Sequence, residues 1–75
     1  MNRAQAIRDF AEWRKAQVGL PEGCIFLCAE REGVENRCGV LVKVRVFYFI
    51  VEKDRRLLEQ WSAYDADVLD YKRVV

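Results

Sequence analysis

No histidine and no threonine occur in this 75-residue chain, and Ser62 is its one serine. The missing imidazole removes the commonest general base and the commonest metal ligand. It also excludes Ser–His and Cys–His nucleophile pairs, even across the interface of a homo-oligomer. Most hydrolase chemistry is thereby set aside, no catalytic residue is assigned, and the chain is not expected to be an enzyme. Charge of one sign is missing as well: 13 Lys and Arg stand against 12 Asp and Glu, a net charge of +1. No global field draws such a chain to nucleic acid or anionic lipid. No apolar run reaches the roughly 20 residues that span a bilayer. The stretch Met1-Asn-Arg-Ala-Gln-Ala-Ile7 lacks the apolar region of a signal peptide. A cytoplasmic protein without membrane contact is expected.

Cysteine is scarce and odd in number, at Cys24, Cys28 and Cys38. The C-x-x-x-C spacing of the first two matches neither a zinc knuckle nor a thioredoxin motif. On a strand they share a face but stand roughly 13 Å apart, too far to hold one ion or bond to each other. Free, partly buried thiols are expected, with Cys28 and Cys38 able to face each other across a hairpin. No metal and no cofactor is assigned.

Apolar residues make up 52% of the chain and charged residues 33%, a globular composition. Its length implies a single small α+β domain over residues 1–75. Such a chain buries only about 60% of its unfolded surface and leans on disulfides, a metal or a partner subunit.

What is present is a strand pattern from Gly39 to Val51. Val40, Val42, Val44, Val46, Tyr48 and Ile50 are apolar at every even position. Odd positions start with Lys43 and Arg45 and then turn apolar at Phe47, Phe49 and Val51. Alternation of β-branched and aromatic residues predicts a strand with one face in a core. Its loss after Val46 predicts a second half covered on both faces.

Before this strand, Asn2 to Val18 reads as a helix capped by Asn2 and closed by Gly19 and Pro21. Ala4, Ile7, Ala11 and Val18 form one face beside Phe10. A second stripe holds Ala6, Phe10, Trp13 and Gln17, edged by Arg3 and Arg14. Trp13 either folds over the core's edge or joins Phe10 and Arg14 in contact with another chain, where Trp and Arg are enriched. Cys24 to Glu32 reads as a strand and Gly33 to Asn36 as the turn of an antiparallel hairpin.

After it, Asp54 can cap a helix from Arg55. Leu57, Trp61, Tyr64, Val68, Tyr71 and Val75 repeat at helical spacing and predict one helix to near Val75. The competing prediction ends that helix near Tyr64 and makes 68–75 a short third strand. The expected class is α+β in the order α-β-β-α. A lone hairpin is marginal, so a homodimer is expected to complete a four-stranded sheet through Phe47, Tyr48, Phe49, Ile50 and Val51.

The function these patterns support is a homodimeric binding module for a protein or small ligand, contacting it through Phe10, Trp13 and Arg14. The alternative is a single-stranded nucleic-acid binder, or a small regulatory protein of toxin–antitoxin type. Lys43 and Arg45, with Arg37 nearby, would pair phosphates while Phe47 and Phe49 stack bases. Near-zero net charge and the lack of an RNP motif weigh against it. Trp61, Tyr64 and Tyr48 are a further candidate pocket at the dimer interface, or plain core. Asp65, Asp67 and Asp70 read as a solvated acidic face, since the glycine and closing glutamate of an EF-hand are missing.

Overall fold

Helix α1 spans Arg3–Lys15 in the computed structural model, which describes residues 2–17, 19–64 and 70–74. Asn2 is its N-cap, as expected: the extended residue accepts a 2.8 Å hydrogen bond from the Gln5 amide. Arg14 and Lys15 lie in the last turn, where the helix dipole favours cations. The helix stops at Lys15, earlier than the sequence pattern predicts, and Gly19 takes the left-handed conformation at φ 105°. Val18 lies outside the described residues.

Four strands follow: β1 Ile25–Arg37, β2 Val40–Lys53, β3 Arg56–Tyr64 and β4 Lys72–Val74. They form one antiparallel sheet in the order β1-β2-β3-β4. The α+β class and the helix-then-hairpin order stand as expected. The hairpin turn does not: β1 runs straight through Gly33 to Asn36, and the turn is Cys38-Gly39. Both turn residues have positive φ, 53° and 83°, the two-residue geometry whose twist matches the flanking strands. The Asn36 side chain holds it by accepting from the Gly39 amide at 2.9 Å.

The expected second helix is a strand over Arg56–Tyr64. Asp54 does not cap a helix. With Arg55 it makes a second two-residue turn, φ 52° and 63°, that returns the chain against β2. Among residues 68–75, β4 forms a short edge strand at Lys72–Val74, while Val68, Leu69 and Val75 lie outside the described residues. The four strands therefore come from one chain. Phe49 sits opposite Cys28 on β1 and Trp61 on β3, so the far half of β2 is paired on both edges.

One sheet face carries the core. Phe47, Phe49 and Val51 are fully buried there with Ala6 and Phe10, and Ala63 and Tyr71 join them. Phe10 stacks on Phe49 with ring centroids 4.5 Å apart, and Tyr71 meets both rings edge-on at 5.2 and 5.5 Å. Trp13 meets Trp61 edge-on at 5.2 Å. The helix thus turns its Ala6, Phe10 and Trp13 stripe to the sheet and leaves Ala4 exposed. Large rings decide this rotation, because each buried aromatic is worth more than an alanine (about 1.5–3 kcal/mol for a Phe).

Thirteen helical residues reach about 20 Å, whereas the molecule is 44 Å long. Beyond Val46 only β1 still pairs with β2, through Arg31 to Arg37. This distal hairpin projects as a two-stranded arm past the helix.

Candidate interaction face

Pairing register assigns every strand side chain to one of two faces. On the side away from α1, Leu27 stands opposite Ile50 and Ile50 opposite Gln60. The next rungs are Ala29–Tyr48–Ser62 and Arg31–Val46–Tyr64. Along the arm the same side continues through Val44, Val42 and Val40. No described element covers it. Ile25 is 57% exposed, Leu27 44% and Val40 62%. Exposed apolar sheet surface of this kind marks a candidate interaction site. Gly33 lets its neighbours close over β1, since a Cβ there would stand 3.1 Å from Cγ2 of Val46. Charged residues sit toward the margins, with Glu52 at one end, Arg37 and Glu35 at the arm's tip, and Arg31 and Lys72 on edge strands. An apolar centre inside a polar rim is the anatomy of a protein-binding patch.

The sequence-predicted residues divide by strand parity. Of the five expected at a dimer interface, Phe47, Phe49 and Val51 are buried beneath α1, while Tyr48 and Ile50 look out from the open face. Trp61 lies on the helix side, and Tyr48 and Tyr64 on the other, so these three line no common pocket.

The predicted contact stripe on α1 points inward. Phe10 is fully buried, and Trp13 is half-buried against Trp61 and Tyr71. Arg14 is buried too, because it is bound by a carboxylate: its Nε and Nη2 donate to the two oxygens of Glu59 at 2.8 and 2.7 Å. Trp61 Nε1 donates to the same carboxylate at 2.8 Å. These bonds, Arg14's first, hold the Glu59 carboxyl down at about 2 against the opposing effect of burial. The Glu59 bond likewise raises Arg14. Phe10 and Arg14 therefore hold the helix to its own sheet and are withdrawn as partner contacts.

Nor do the basic residues converge. Lys43 and Arg45 lie on the helix side of the arm and Arg37 on the open side. Arg45 Nη1 pairs with Glu30 at 3.0 Å and its guanidinium lies 6.0 Å from the Phe47 ring centroid. Arg37 pairs with Glu35 at 3.0 Å, and Lys43 is exposed opposite Val34. Phe47 and Phe49, the two rings expected to stack bases, lie under the helix.

The cysteines are free. Cys28 faces Phe49 in mid-sheet and Cys38 sits in the turn at the arm's tip, so they do not face each other. Burial pushes the Cys28 thiol up to about 11, the opposite of an activated nucleophile. Among the described residues no cluster of His, Cys, Asp and Glu could hold a metal ion, and no helix is long and apolar enough to cross a membrane. Asp70 is exposed, and Asp65 and Asp67 lie outside the described residues.

No protein-family model matches the chain, and no curated protein or solved structure matches it either. The open face is what the sequence reading missed as a site. Its signal is the unbroken apolar series from Val40 to Ile50, which could be located on a face only once the helix was placed.

Proposed function

We propose that this chain is a small, non-catalytic interaction module that binds protein through the open face of its sheet. One observation carries the proposal: Leu27 and Val40 are exposed and Tyr48, Ile50, Val42 and Val44 half-buried along one apolar side of the sheet that no described element covers, with Val46 buried among them. On this face a small-molecule ligand fits less well. The depression between Ala29, Arg31, Tyr48, Ile50 and Gln60 holds about 220 Å3, below the roughly 300–1,000 Å3 of ordinary ligand pockets. Single-stranded nucleic acid has less support still, since Lys43 and Arg45 lie on the other face from Arg37 and the expected stacking rings Phe47 and Phe49 are buried.

A photo-activated cross-linker tests this in the expressing cell. Placed at position 44, on the open side of the arm, it is expected to give adducts with protein. At position 43, the neighbouring residue on the opposite side, it is expected to give few. Equal yields at the two positions would overturn the proposal.

A further inference from the structure

We infer, resting on that reading of the face, that the bound protein adds an extended segment alongside β1. The segment is apolar with one carboxylate, and its backbone pairs with the free outer edge of Ile25–Arg37. β1 ends the strand order, so only its β2 side is hydrogen-bonded within the sheet. The backbone bonds outside helix and strands lie at the ends of α1, and no described backbone caps that edge. A row of unpaired amides and carbonyls at strand spacing is matched by another extended backbone.

Proteins blunt such edges by keeping them short, or with proline, bulges or charge. β1 is 13 residues long, against the usual length of about 5–6. It contains no proline, and its register with β2 is unbroken from Ile25 to Arg37. The bulge at Val51 and Glu52 belongs to the pairing of β2 with β3. Charge is absent from Ile25 to Ala29 and begins only at Glu30. Other free edges are shorter. β4 has three residues, and among the described residues β2 lacks an outer partner only from Val40 to Arg45.

Side chains along this edge select the occupant. On the open side Ile25, Leu27 and Ala29 lead to Arg31. Among the described residues the exposed Arg31 guanidinium has no ion-pair or hydrogen-bond partner. Glu35, further along the same side, is held by Arg37. Arg31 also borders the depression of about 220 Å3 beside Ala29 and Tyr48, which suits a single side chain better than a whole ligand. A segment laid along β1 sets apolar residues beside Leu27 and Ala29 and its carboxylate beside Arg31. On the helix side Glu30 and Glu32 share a depression with Arg3 and Arg45, and Glu30 is paired with Arg45. That side is balanced and selects no charge. A second copy fits poorly, because two-fold pairing over the whole of β1 sets Arg31 against Arg31 and Glu30 against Glu32.

Fluorescence anisotropy with synthetic peptides tests the inference. The probes are strands of about eight residues alternating valine and threonine, with glutamate or lysine replacing one central valine. The glutamate peptide is expected to bind, and the lysine peptide about fivefold more weakly. Arg31→Glu, an exposed change whose fold circular dichroism checks, is expected to reverse that order. Methylating the central backbone amides of the glutamate peptide is expected to weaken it at least about tenfold. Amide hydrogen exchange is expected to slow along Ile25–Arg31 when the peptide binds, and not in β4. Absence of binding, indifference to charge or to methylation, or slowing at another edge overturns the inference. Cross-linking at positions 44 and 43 then decides the face on its own. If position 44 still gives more adducts with another protein, the added strand falls while the face stands. If the yields are equal, both fall. Adducts at position 44 made only of two copies of this chain overturn the inference as well.

Discussion

Arg14 and Glu59 form a bidentate ion pair, at 2.8 and 2.7 Å, that ties helix α1 to β3 with each side chain only 9% exposed. Removing one partner strands a buried charge, which typically costs about 3–5 kcal/mol. Glu59→Ala is expected to lower the urea midpoint sharply or to unfold the chain. Replacing both residues, as Arg14→Met with Glu59→Leu, is expected to restore much of the loss, because no unpaired charge remains. A double-mutant cycle by urea denaturation measures the coupling, and additive losses would show the pair to be unimportant.

The same carboxylate sets an acid limit. Its folded value, about 2, lies below the ordinary 4.5, so the ionised form is favoured by folding. The stability this contributes is fully present above about pH 4.5 and is lost as pH falls toward about pH 2. Thermal midpoints are expected to decline through that window. Glu59→Gln, which has no carboxyl to titrate, is expected to be less stable near neutral pH and flatter on acidification. A natural chain whose midpoint does not change over the window would contradict the assignment.

Two turns carry ordinary residues where positive φ favours glycine or asparagine. Cys38 sits at φ 53° and Arg55 at φ 63°. Cys38→Asn and Arg55→Gly are expected to stabilise by about 0.5–1 kcal/mol each, through relief of left-handed strain. Higher denaturation midpoints with unchanged spectra are the expected result. Lower midpoints would place the turns elsewhere.

Those two turns also explain what the sequence hid. Neither Cys38-Gly39 nor Asp54-Arg55 is a strong hairpin signal, and the second contains no glycine at all. Between Val51 and Trp61 the inward position of β3 is Glu59, a charge where alternation calls for an apolar residue. Its partner Arg14 lies 45 residues away, so nothing local marks Glu59 as buried. Leu57, Trp61 and Tyr64 then mimic a helical seam although they belong to a strand. The Gly39–Val51 pattern, by contrast, is legible because every even position from Val40 to Ile50 is β-branched or aromatic. The binding face was only half legible: the even series was plain, but its lack of cover depends on which stripe of α1 packs down.

Tyr71 offers a test that reverses the usual sign. Its ring fills the gap between Phe10, Trp13 and Phe49, while its buried hydroxyl has no hydrogen-bond partner among the described residues. Burial accordingly raises its pKa above the usual phenol value. An unsatisfied buried hydroxyl costs about 1–3 kcal/mol. Tyr71→Phe keeps the ring and removes that cost, so it is expected to raise the thermal midpoint. A drop would mean that the hydroxyl is bonded in solution.

The rotation of α1 decides which surface is left open, and two substitutions read it directly. Phe10 is fully buried and stacked on Phe49, whereas Ala4 is exposed on the outer side. Phe10→Ala is expected to remove about 3–5 kcal/mol, enough to unfold most of a domain whose whole stability is about 5 kcal/mol. Ala4→Glu is expected to shift the midpoint by no more than about 0.5 kcal/mol. Were the Ala4, Ile7 and Ala11 stripe the one against the sheet, a charge at position 4 would be the damaging change. Phe10 and Trp13 would then be free to meet a partner, and the open sheet face would lose its claim to be the binding surface.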